Sequence, residues 1–156
     1  GQLIDSSFAD EAILRLGEEI NAGQLGERCI LLENLATDSI NNISAAISLR
    51  GLKLAFLAVE RSGGWELVGR LEPSLQETLK LVDERGCLTA SELAELKGLA
   101  INSASNRLRR LYDQRLVQRK HEISEIGLQY IYHFWEWTED KANQGEERND
   151  DHAETV

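Results

Sequence analysis

Two hydrophobic periods alternate along this chain, one of 3.6 residues and one of continuous short apolar runs. Ala9, Ala12, Ile13, Leu16 and Ile20 recur at helical spacing and predict a helix over 7–22, with Asp5, Ser6 or Ser7 as its N-cap and Gly23 and Gly26 closing it. RCILLE (28–33) is too short for a helix and predicts a buried strand. Helical period returns over 38–49 through Ile40, Ile43, Ala46, Ile47 and Leu49, and Gly51 supplies a C-terminal cap. LKLAFLAV (52–59) is a second buried strand. Ser62-Gly63-Gly64 is a turn, and WELVGRL (65–71) a third strand, paired as a hairpin with the second.

Pro73 is the sole proline and marks a boundary, after which Glu72-Pro73-Ser74 opens a helix over 74–85 with Leu75, Leu79 and Val82 inward. Gly86 ends it. Thr89 and Glu92 have the spacing of a capping box for a helix over 90–97, with Leu93 and Leu96 inward and Gly98 as the break. A third helix starts at Ile101 or Asn102 and runs to about Gln114. Leu116-Val117 then begin an extended segment, and the aromatic stretch YIYHFWEW places a fourth helix at 124–137. Beyond 139 the chain is acidic and polar, a composition expected to stay disordered.

The order of elements predicts an α/β half over 1–72 and an α+β half over 73–138, followed by a tail, 139–156. The net charge of −10 argues against nucleic acid until it is divided along the chain. The first half carries −5 and the tail −5, whereas 73–137 is neutral. Within it, residues 101–120 hold Arg107, Arg109, Arg110, Arg115, Arg119 and Lys120 against one acid, Asp113. That local excess of +5 is what a polyanion would meet.

The run LTASELAELKGLAINSASNRLRRLYDQRLVQRK resembles the winged helix-turn-helix of many bacterial and archaeal regulators: a polar cap, a short amphipathic helix, a glycine turn, a polar-faced second helix, and a leucine leading into a wing strand. Arg115 stands where such motifs often carry glycine. The residues support the same reading on their own. Ile101, Ala104, Leu108 and Leu111 form one apolar stripe, which leaves Asn102, Ser103, Asn106, Arg109, Arg110 and Asp113 outward. Asn and Arg make bidentate contacts to adenine and guanine edges in a major groove. Asn102, Ser103, Asn106 and Arg110 are therefore expected to face the groove, with Arg109, Arg119 and Lys120 on phosphates. The other use of such a helix is as a protein-contact surface. The aromatic segment serves either as a lid on the core or as a dimer contact.

LIDSSFADEAILRL, CILLENLATDSINNISAAI and LKLAFLAV resemble the later part of a STAS-like domain, whose first strands and helix have no counterpart here. The resemblance implies sensing or assembly through this half. It also implies phosphorylation at Ser6, within the Asp5-Ser6-Ser7 turn, as in anti-sigma-factor antagonists; Phe8 stands where those proteins usually carry glycine. The same serines also fit a plain helix cap.

Cys29 and Cys87 are isolated and expected to pack as reduced small hydrophobes. His121, His133 and His152 lack ligand spacing, so no metal or other cofactor is expected. No Ser/His/Asp set, paired catalytic carboxylates or phosphate loop points to an enzyme. Neither a secretory signal nor a bilayer-length apolar run is visible, which places the expected site of action in the cytoplasm. The expected partners are double-stranded DNA, a second copy of the chain and, through the first half, another protein.

Overall fold

The computed structural model describes residues 9–24, 26 and 28–135. The Asp5-Ser6-Ser7 turn with its candidate site Ser6, and the acidic tail from 139, lie outside the described residues. The described residues form a mixed α/β structure with five helices and two three-stranded sheets.

A wide helical turn, Ala9–Ile13, runs into α1 (Leu14–Asn21). Strand β1 (Leu31–Glu33) follows, then α2 (Thr37–Leu49), β2 (Ala55–Val59) and β3 (Trp65–Gly69). The order in this sheet is β1-β2-β3. β1 lies parallel to β2, with Leu31 opposite Leu57, and β2 is antiparallel to β3, with Phe56 opposite Val68. The expected hairpin is therefore present.

β2 is buried from Ala55 to Ala58 because both of its faces are covered. Phe56 and Ala58 pack with Leu14, Ile20, Ile43, Ile47 and Val68 beneath α1 and α2. Ala55 and Leu57 point the other way and join Leu75, Leu79, Leu93, Leu108 and Leu111 in a core that continues across Pro73 into the second half. Gly69 lets β3 come close to β2: its φ is +106°, and a Cβ there would collide with the Leu54 carbonyl oxygen.

Helix α3 (Pro73–Arg85) begins with its proline in the first turn. β4 (Cys87–Thr89), α4 (Ala90–Lys97), α5 (Ile101–Asp113), β5 (Gln118–Ser124) and β6 (Gly127–His133) complete the chain. The capping box is formed: the Thr89 N–H donates to Glu92 Oε2 at 2.8 Å, and the Glu92 N–H to Thr89 Oγ1 at 3.3 Å. Gly98 closes α4 in the left-handed conformation at φ 62°.

Four features differ from the sequence reading or were absent from it. As far as His133 the aromatic segment is a strand, not a helix: β6 pairs with β5 from Gly127 to His133 and with β4 at Leu88 and Tyr132, while residues 136 and 137 lie outside the described residues. Its period-2 alternation sends Tyr132 inward, and Gly127, at φ 116°, sets the turn before it. Second, β4 has only three residues and exists through that pairing, so no local pattern announces it. Third, Leu96, Ile101 and Leu49 fit the helical period but are exposed at 43%, 55% and 88%; each sits at or next to an end of its helix. Fourth, Cys87 is exposed, since β4 turns Leu88 inward and its neighbours outward, whereas Cys29 is partly buried. No described helix is long and apolar enough to cross a membrane.

Candidate nucleic-acid interface

Helices α4 and α5 are joined by Gly98-Leu99-Ala100, and a hairpin of two seven-residue strands follows α5. Ala104, Leu108, Leu111 and Tyr112 anchor α5 on the core. Asn102, Ser103, Ser105, Asn106, Arg109, Arg110 and Asp113 are exposed. The outward arc holds one acid, Asp113, at its C-terminal end.

The arginines of α5 have different surroundings. Arg110 donates from both terminal nitrogens to Glu72, at 2.8 and 2.6 Å, a bidentate pair at the start of α3. That contact holds the Glu72 carboxyl below the usual range, mainly through the hydrogen bond, and raises the Arg110 guanidinium. Arg107 approaches Glu77 at 3.9 Å, and Glu77 also accepts from Lys97, which lowers its pKa. Arg109 has no ion-pair partner among the described residues. Asn102, Asn106 and Arg109, at spacings of four and three, share the arc that points away from the core. Nothing local in the sequence signals the acidic partners of Arg110 and Arg107, because α3 supplies them from 38 and 30 positions earlier.

The two basic residues of the hairpin also differ. Arg119 stacks its guanidinium over Tyr112 at 4.0 Å and over Tyr130 at 4.2 Å, which ties β5 to α5. Burial pushes the phenol of neighbouring Tyr132 up, and a hydrogen bond with Arg119 opposes that shift. Lys120 is exposed. Arg115 takes φ +58° just past the end of α5, the conformation for which glycine is usual. Its guanidinium compensates by lying over Tyr112 at 4.6 Å and donating to the carbonyls of Tyr112 and Gly26, so the two halves are bridged there.

Beyond these contacts the hairpin tip changes character. Ile123, Ile126 and Leu128 are 87%, 96% and 64% exposed, and Glu122 and Glu125 lie among them. A surface of that kind does not attract phosphate. The basic patch is thus confined to α5 and the base of the hairpin.

Elsewhere, an open cleft of about 950 Å³ lies at the carboxyl ends of β1 and β2, with Glu33, Glu60, Arg61 and Glu66 among its walls. A smaller cavity of about 200 Å³ lies between Trp65, Phe134, Asp83 and Leu57, where the two halves meet. The Trp65 Nε1–H donates to Asp83 Oδ2 at 2.8 Å. No group of three or more metal-ligating side chains occurs among the described residues.

No protein-family model matches the chain, and no curated protein matches it.

Proposed function

We propose that this chain is a DNA-binding transcriptional regulator in which α5 enters the major groove and the STAS-like half senses a signal or docks a partner. The reading is supported chiefly by the exposed arc of Asn102, Asn106 and Arg109 on a helix anchored from its opposite face. Asn102, Ser103 and Asn106 allow close approach to base edges, and Arg109 reaches a guanine edge or an adjacent phosphate. Arg110 contributes only when it leaves Glu72. Lys120 lies at the base of the hairpin as a phosphate contact, and Arg119 positions β5 rather than touching DNA. Asp113 limits how far the C-terminal end of α5 approaches the backbone. The action is cytoplasmic, without a cofactor, and not enzymatic.

A second reading has one specific observation in its favour. The apolar and acidic hairpin tip suits a protein surface better than a phosphate backbone, so the helix-turn-helix can serve assembly instead.

The two separate in a mobility shift with duplexes selected from a random pool, titrated with salt. DNA binding predicts that Asn106→Ala or Arg109→Ala costs about 1–3 kcal/mol and relaxes sequence preference. Lys120→Ala flattens the salt slope by about one unit. Absence of any binding at about 50 mM salt and micromolar protein, with no duplex enriched by selection, leaves the assembly reading.

A further inference from the structure

We infer that the chain forms a two-fold homodimer by antiparallel pairing of β5 with β5 of a second copy, centred on His121. This goes beyond the proposed function and does not rest on it.

The second sheet has the order β4-β6-β5, so among the described residues β5 has a partner on one side only. Its seven residues, Gln118–Ser124, and the seven of β6 are the longest strands among the described residues. A free edge of that length, next to Ile123, Ile126 and Leu128 in solvent, is a template for another strand. The sequence of the edge, Gln-Arg-Lys-His-Glu-Ile-Ser, is charge-complementary to itself when reversed. With His121 opposite His121, Lys120 of one copy stands opposite Glu122 of the other, and the pair occurs twice. Opposite-charge pairs directly across a ladder are favourable and like charges there are not.

The symmetry fixes the register. A two-fold axis perpendicular to the sheet keeps each residue facing the same side in both copies, so the register shifts in steps that preserve facing. One step in one direction puts Lys120 opposite itself, and one step in the other puts Glu122 opposite itself. Only the His121-centred arrangement pairs both charges.

The same axis keeps both copies of α5 on one side of the resulting six-stranded sheet, because Arg119 stacks on Tyr112 of α5 from that face. Ile123 of each copy then lies across from the aliphatic stem of Arg119 of the other. The pairing replaces the expectation of a dimer through an aromatic helix, since that segment is β6. In the dimer Lys120 is held by Glu122 of the other copy, so its proposed phosphate contact belongs to the monomer, and α5 is the basic surface that the dimer leaves exposed. Two seven-residue strands and their side chains bury less than the roughly 800 Å² per partner of a standard interface, so the dimer is expected at about micromolar concentrations rather than below.

Light scattering of the full chain over about 1–100 micromolar tests this, with the dissociation constant as the readout. The wild-type chain is expected to approach dimer mass at the upper end. Lys120→Glu and Glu122→Lys, each alone, put like charges opposite one another twice and are expected to weaken the dimer at least tenfold, with circular dichroism unchanged. The combined Lys120→Glu/Glu122→Lys chain restores the pairing in reverse and is expected to dimerise as the wild type does. In a Cys87→Ser background, His121→Cys is expected to form an intermolecular disulfide on mild oxidation, which the background alone does not form. Monomer mass for the wild type at 100 micromolar overturns the inference. So do single variants as dimeric as the wild type, a double variant that stays monomeric, or a His121→Cys chain that fails to cross-link.

Discussion

If the chain binds DNA as proposed, replacing Glu72 by Gln is expected to strengthen that binding rather than weaken it. Glu72 lies ahead of α4 and α5, at the start of α3, and both of its carboxylate oxygens are taken by Arg110 at 2.6 and 2.8 Å. It makes no side-chain cap bond to α3, so the substitution leaves the helix start intact. Exposed ion pairs contribute little to folding, and the change is expected to be nearly silent in urea unfolding. Its effect on binding is different, because one arginine is released beside Asn106. If Arg110 then gains a single phosphate contact, the salt slope of log K steepens by about 0.9. Over a fourfold rise in salt, from about 50 to about 200 mM, that difference amounts to an additional loss of roughly 3.5-fold in affinity. The assay is fluorescence anisotropy with a labelled duplex at several salt concentrations, on Glu72→Gln, Arg110→Ala and the double variant. The double variant is expected to match Arg110→Ala, since the Glu72→Gln change acts only through the released arginine. An unchanged slope and affinity for Glu72→Gln refutes the argument, and so does a gain that persists without Arg110. Acid acts in the same direction. The folded-state pKa of Glu72 lies below its ordinary value, so the pair persists at neutral pH and its contribution to stability is present above the ordinary glutamate pKa. That contribution is lost as the pH falls through the lowered folded value, which releases Arg110 by protonation.

Gly69→Ala is expected to destabilise the fold by about 3 kcal/mol in urea unfolding, from backbone overlap plus a left-handed φ; a loss below about 1 kcal/mol would contradict the close approach to the Leu54 carbonyl. The two cysteines should differ in alkylation: burial pushes the Cys29 thiol to about 12, so native protein at mildly alkaline pH is expected to label at Cys87 and to label at Cys29 only after unfolding. Equal native labelling of both, read by mass spectrometry, would show that the Cys29 pocket opens readily.

The elements whose cause is local were legible in the sequence. Thr89 and Glu92 cap α4 because both bonds close within three residues, and Pro73 starts α3 because its fixed φ suits a first helical turn. The core positions Ala104, Leu108 and Leu111 followed from period alone. So did the exposed Asn102, Asn106 and Arg109, the part of the candidate site that rests on the helix itself. Where partners come from far along the chain, the sequence was silent or misleading. Tyr130 and Ile131 fit a helical face as well as a strand, and the ladder to β5 and β4 decided between them. Arg110 looked free on its helix, and only the fold brought Glu72 to it across 38 positions. β2 read as buried from its composition, but which neighbour covers Leu57 was set by the second half packing against the sheet. A periodic pattern fixes which side of an element is apolar. What that side meets, and which charges are neutralised around it, is a property of contacts between segments that the chain brings together only when folded.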